Sequence, residues 1–180
     1  MSRSQDNKIL MRGYTLTDRI DEAIEQRITK LLADVTRVVL IGLGNPLRRD
    51  DRFGIEVIRR LTGKISRDVL LIEGETTPES YLEKIIDFNP SHILIIDAAM
   101  IGAKPGAIKL LRPRALTRKV AVSTHSLPLR IFCDYLQRDL GAEIALLLMQ
   151  PKETYFGEGL SSEVEETVDK VVSTLTDLLS

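Results

Sequence analysis

Along the chain, short unbroken apolar runs alternate with stretches in which apolar side chains recur every three or four positions. The runs are RVVLIGL at 37–43, DVLLIE at 68–73, HILIID at 92–97, KVAVS at 119–123 and EIALLLM at 143–149. Short, branched and apolar throughout, they predict strands buried on both faces, the pattern of a parallel sheet. Helical spacing falls near 53–62, 78–87, 126–139 and 161–179. Before the first strand, Ile20, Ile24, Ile28, Leu31, Leu32 and Val35 mark an amphipathic helix, with Thr15 and Asp18 placed as a capping box at its start. The run PGAIKLL at 105–111 predicts a short extra strand, antiparallel at an edge. Strand alternating with helix defines an α/β fold: a three-layer αβα sandwich around a mostly parallel sheet of about five strands. The pattern divides the chain into an N-terminal extension with one helix, residues 1–36, and a single α/β domain, residues 37–180.

Composition narrows the function classes. A chain of 180 residues is long enough for one well-buried core. With 25 basic against 26 acidic residues, no broad field attracts nucleic acid or an anionic membrane, so partners must be recognised locally. One cysteine, Cys133, excludes an internal disulfide framework, and its setting in LRIFCDYLQ reads as a buried structural thiol. No segment has the length and apolarity of a signal peptide or membrane span, which makes a cytoplasmic location the expectation.

Ligands of open α/β sheets sit outside the carboxyl ends of the strands. The first strand delivers Gly42, Gly44, Asn45, Asp50 and Asp51 to that rim. The second brings Glu73, Gly74 and Glu75, the third ends in Asp97, the fourth leads to His125, and the fifth to Gln150, Pro151 and Lys152. Two carboxylates and an imidazole, Asp51, Asp97 and His125, thereby form a candidate open site for a divalent cation. Each also has a plainer reading. Asp50 or Asp51 can cap the following helix, Asp97 can be satisfied by hydrogen bonds, and His125 can be a structural histidine. His92, opening a strand, reads as a boundary residue. GLGNPL lacks the third glycine of a dinucleotide fingerprint, and Pro46 blocks the usual turn into a helix. It reads instead as a tight turn over the sheet's end, with Gly54 allowing the next helix to pack closely. Arg48, Arg49 and Arg52 are either a solvated rim or a place for an acidic group of a partner.

Five segments, GLGNPLRRDDRFG, EGETTPESYLEKI, ILIIDAAMIGAKPGAIKLL, STHSLPLRIFCDYL and MQPKETYFGEGLSSEV, resemble in order and spacing the [NiFe]-hydrogenase maturation endopeptidases, most closely those that process hydrogenase-3-type large subunits. The resemblance covers about residues 37–179 and implies a phosphorylase/hydrolase-like sandwich. It also implies a metal-dependent or substrate-metal-assisted protease that removes the C-terminal extension of a hydrogenase large-subunit precursor after nickel insertion. In that family the second acidic residue of the first loop, the aspartate of the third strand and the histidine after the fourth bind the metal; here these are Asp51, Asp97 and His125, which would also be the catalytic set. The nickel is carried by the precursor, so the protease itself need hold none. Asn45, Glu73, Gly74 and Glu75 are the substrate-binding candidates.

Two departures from the family pattern bear on substrate choice. Arg52 stands where the first loop usually has glycine, and would be strained if that glycine takes a positive φ. Glu73 and Glu75 alter the usual D-G-G-T of the second loop. Rival readings are a non-enzymatic nickel-sensing or scaffold protein, and a peptidyl-tRNA hydrolase, whose family shares GLGNP but expects a histidine that RRDDRFG lacks.

Overall fold

A computed structural model of the chain describes residues 20–33, 35–66, 68–116, 121–122 and 126–180. Its elements in order are α1 (Glu22–Leu31), β1 (Val38–Leu43), α2 (Phe53–Leu61), β2 (Val69–Glu75), α3 (Leu82–Phe88), β3 (His92–Met100), β4 (Ile108–Leu111), β5 (Ala121–Val122), α4 (Ser126–Leu140), β6 (Glu143–Met149) and α5 (Ser162–Leu179). The sheet runs β2-β1-β3-β6-β4. β2, β1, β3 and β6 are parallel, and β4 closes one edge antiparallel to β6. The extra edge strand expected within 105–111 is therefore present.

Alternation along the strands divides the core in two. Val38 and Leu40 of β1 join Leu94 and Ile96 of β3 in packing against α1, α2 and α5. Val39, Ile41 and Leu43 join Ile93 and Ile95 in packing against α3 and α4, where Cys133 is fully buried. Burial pushes the Cys133 thiol up to about 12, with the nearby Asp134 charge adding to the shift. This is the inert structural thiol expected from its position.

Three details differ from the pattern in the sequence. The run at 119–123 is not a further parallel strand. Its described residues, Ala121–Val122, pair antiparallel with Met100 and Ala99. β6 already lies alongside β3 as far as Ala98 with Met149, and only the overhang of β3 is left for this short pairing. β3 itself does not stop at Asp97 but continues to Met100; what ends near Asp97 is the pairing with β1, whose last rung is Gly42 with Ile96. Finally, α1 begins at Glu22, where the Asp21 side chain accepts from the Ala23 amide at 2.9 Å. Thr15 and Asp18, the expected capping box, lie outside the described residues.

Two glycines bring α2 against the sheet. A Cβ on Gly42 would stand 2.2 Å from the Gly54 carbonyl oxygen, and one on Gly54 would stand 2.1 Å from the carbonyl oxygen of Ile96 and 2.6 Å from that of Leu43. No side chain fits between backbones this close. Gly54→Ala is therefore expected to destabilise the fold by about 3 kcal/mol or more, or to prevent folding, because the clash is with backbone rather than with a movable side chain. Urea denaturation compared with the wild type measures it.

Candidate active site

The first loop is built from its own backbone. Gly44, at φ +127°, lies so close to Asp51 that an added Cβ would fall 1.7 Å from the Asp51 carbonyl oxygen. Asn45 Oδ1 accepts from the Leu47 amide at 2.9 Å, and the Asn45 amide donates to Asp51 Oδ2 at 3.1 Å. The Asp51 amide donates to the Arg48 carbonyl at 2.8 Å. These bonds fold residues 44–51 into a compact turn that fixes the Asp51 carboxylate at the rim.

Asp97 reaches the same rim from β3. It is 1% exposed, and Oδ1 accepts from the Ala98 amide at 2.8 Å. Burial holds its carboxyl well above the usual carboxylate range, and the neighbouring Asp51 charge pushes it further up. A buried carboxylate facing a second one is unfavourable unless a proton or a cation joins them. His125 lies outside the described residues. Among those described, Asp51 and Asp97 are brought together, and no group of three or more His, Cys, Asp or Glu side chains is arranged to hold a metal.

Neither Asp50 nor Asp51 is the N-cap of α2. The residue in that place is Arg52, whose side chain makes no capping hydrogen bond. Asp50 does something else. Fully buried, it accepts through Oδ2 from the Lys152 amide (2.9 Å), the Glu153 amide (2.8 Å) and the Ser161 hydroxyl (2.9 Å), and through Oδ1 from the Ser161 amide (2.7 Å). It thus anchors the segment between β6 and α5 onto the first loop. The adjacent acidic pair in the sequence signals carboxylate chemistry but not this division of labour, since Ser161 lies far along the chain.

The second loop docks on the first through the Gly44 amide, which donates to the Glu75 carbonyl at 2.9 Å. Glu75 has φ +47°, the left-handed region that favours glycine, which accounts for the small residue expected there. Gly74 packs under Ile41 and Leu43, where a Cβ would come within 2.9 Å of both side chains. Glu73 is ion-paired with Arg59 at 3.0 Å. Arg52 is not strained: its φ is −79°, in the right-handed helical region. Its Nε is buried without a hydrogen-bond partner among the described residues. Gln150, at the end of β6, accepts through Oε1 from the Ile101 amide at 2.9 Å and holds the turn after β3. His92 sits at the other end of β3, beside Ser91 and Glu143, away from the rim.

The chain and its fold are similar to known proteins. The family model for hydrogenase maturation proteases matches residues 55–178. A protein of Methanocaldococcus jannaschii named as a hydrogenase maturation protease is 31% identical over 164 residues, covering 87% of this chain and 96% of that one. The hydrogenase 3 maturation protease of Escherichia coli K12 is 28% identical, covering 76% and 87%. The crystal structure of a [NiFe] hydrogenase maturation protease from Thermococcus kodakarensis superposes with a TM-score of 0.79 at 33% identity, over 85% of this chain and 98% of that one. Fold and relatives define the class as a hydrolase on an αβα sandwich. More particularly, the chain belongs to the family of [NiFe]-hydrogenase maturation proteases. No helix among the described residues is long and apolar enough to cross a membrane.

Two outcomes test the roles of Asp50 and Asp97. Asp50→Ala is expected to cost about 3 kcal/mol or more, since four buried or partly buried donors lose their acceptor, and to expose the 152–161 segment to proteolysis. For Asp97 the sign follows from its raised pKa. Below the ordinary value of 3.8 the carboxyl is neutral folded or unfolded; above it, the unfolded chain releases the proton first and wild-type stability falls as pH rises. Asp97→Asn removes that slope, so melting temperatures of the two proteins should diverge between pH 4 and neutrality in favour of the variant.

Proposed function

We propose that the protein is an endopeptidase that removes the C-terminal extension of a [NiFe]-hydrogenase large-subunit precursor once nickel has been inserted, and that it recognises the nickel already bound in the precursor. Asp51, Asp97 and His125 are the residues proposed to grip that nickel, with no resident metal needed in the protease. The observation that carries this reading is the placement of Asp51 beside the buried Asp97: the charge of Asp97 is disfavoured by burial and by its neighbour, and a substrate-borne cation relieves both.

In this mechanism the nickel fixes the adjacent scissile bond at the rim. A water oxygen attacks the carbonyl carbon, the peptide C–N bond breaks, and the water's protons are shared between the new carboxyl group and the leaving amine. The carboxylates orient the water, and the cation polarises the carbonyl. No serine or cysteine nucleophile is required, in keeping with the buried thiol of Cys133. Asn45, Gly74 and Glu75 border this position and are the proposed contacts for the precursor chain. Glu73, engaged by Arg59, contributes by holding the second loop against α2.

Incubating the protein with nickel-loaded and nickel-free precursor, and weighing the products, tests the proposal. The nickel-loaded precursor is expected to lose its C-terminal peptide and the nickel-free form to stay intact. Asp97→Asn and His125→Ala should each slow cleavage by roughly a hundredfold or more, the order of effect of losing one group that stabilises the transition state. A precursor bound but never shortened would favour a nickel-sensing scaffold; cleavage by either variant at the wild-type rate would remove the site assignment.

A further inference from the structure

Among the described residues, three of the six large apolar side chains that are exposed occur in two short segments next to Asp51. Leu47 is 67% exposed, Tyr155 57% and Phe156 70%. The segments carrying them are tied to each other. The Gly157 amide donates to the Leu47 carbonyl at 3.0 Å, the Arg49 amide to the Gly157 carbonyl at 3.2 Å, and the Asp50 amide to the Glu153 carbonyl at 3.0 Å. Arg48 Nε donates to the Thr154 carbonyl at 2.8 Å, and Asp50 holds the same segment from beneath at both ends.

The rings are also fixed in place. The Arg48 guanidinium lies 5.3 Å from the centre of the Phe156 ring, and that of Arg49 lies 5.3 Å from the centre of Tyr155. Arg49 is also 2.9 Å from Glu153, a charge contact too poorly aligned for a hydrogen bond. Glu153 accepts from the Tyr155 hydroxyl as well. Arg48, in contrast, has no ion pair among the described residues. A segment this firmly held has no internal need to present two rings and a leucine to water. Pre-ordered aromatic side chains flanked by arginine are the usual anchors of a binding surface, because little freedom is lost when a partner lands on them.

We infer that Leu47, Arg48, Tyr155 and Phe156 form the docking platform for the precursor polypeptide beside the scissile bond, taking a stretch that carries a large apolar side chain next to a carboxylate. The occupant follows from two observations. The platform is continuous with the candidate site, since the Asp51 amide is bonded to the Arg48 carbonyl, so a chain held at Asp51 has the platform within a few residues' reach. The charge left uncompensated there is positive, at Arg48, which favours a carboxylate. The inference rests on the protease function proposed above and adds the feature by which the enzyme selects its precursor.

Cleavage rates of nickel-loaded precursor, followed as a function of precursor concentration, test it with Leu47→Ala, Phe156→Ala and Arg48→Ala. Loss of docking that is equal in the bound and transition states raises KM and leaves kcat alone. Leu47→Ala and Phe156→Ala are expected to raise KM by about tenfold each, the effect of truncating an interface anchor, with kcat within about twofold and an unchanged melting temperature. Phe156→Leu should recover part of the loss. Arg48→Ala should raise KM and flatten the salt dependence of kcat/KM. A wild type that cleaves while Leu47→Ala and Phe156→Ala keep its KM, or lose only kcat, overturns the platform alone. A wild type that leaves every nickel-loaded precursor whole overturns the protease function and the platform with it.

Discussion

The candidate site depends on a backbone-to-backbone contact. Gly42 of β1, Gly54 at the start of α2 and Ile96 of β3 approach one another too closely for any side chain. Asp97 follows Ile96, and Asp51 lies one helical turn before Gly54, so this contact sets how near the two carboxylates come. It also explains why α2 can start directly over the sheet without a side-chain cap: the helix is located by packing, and Phe53, Ile55, Val57, Ile58 and Leu61 are all buried behind it.

The two neighbouring aspartates perform opposite tasks. Asp50 points inward and is saturated by hydrogen bonds from residues more than a hundred positions away. Asp51 stays at the rim and influences Asp97. A buried carboxylate with four donors has its hydrogen-bonding capacity met, whereas one that faces another carboxylate is held in an unfavourable state. The fold thus satisfies one acid fully and sets the other beside the buried Asp97, whose charged form it disfavours.

Much of this was legible in the sequence, for physical reasons that can be named. Runs such as ILIID and EIALLLM are apolar on both faces because both faces are covered, so the parallel core of the sheet and the ends of its strands could be located. The edge strand at Ile108–Leu111 was visible because PGAIKLL is short and follows a turn. The run KVAVS misled because an apolar pentapeptide carries no record of its pairing; only the prior occupation of the place beside β3 by β6 excludes a full strand there. The condition for strain at Arg52 is not met, since a residue's φ depends on the path of the loop: in the first loop positive φ falls at Gly44 and Arg49, and in the second at Glu75. The anchoring role of Asp50 depends on Ser161 and the 152–153 amides, contacts between distant segments that no local motif encodes. The aromatic pair at 155–156 gave no signal, because exposure is a property of the folded surface.

At the far side of the sheet, Arg27 of α1 donates to the Leu110 carbonyl at 2.7 Å. Leu110 belongs to β4, the strand at the margin, where open carbonyls invite a strand from another molecule. With the guanidinium occupying that acceptor and α1 lying over the neighbouring residues, the segment preceding the α/β core serves as a guard rail. One carbonyl that an added strand would need is already taken.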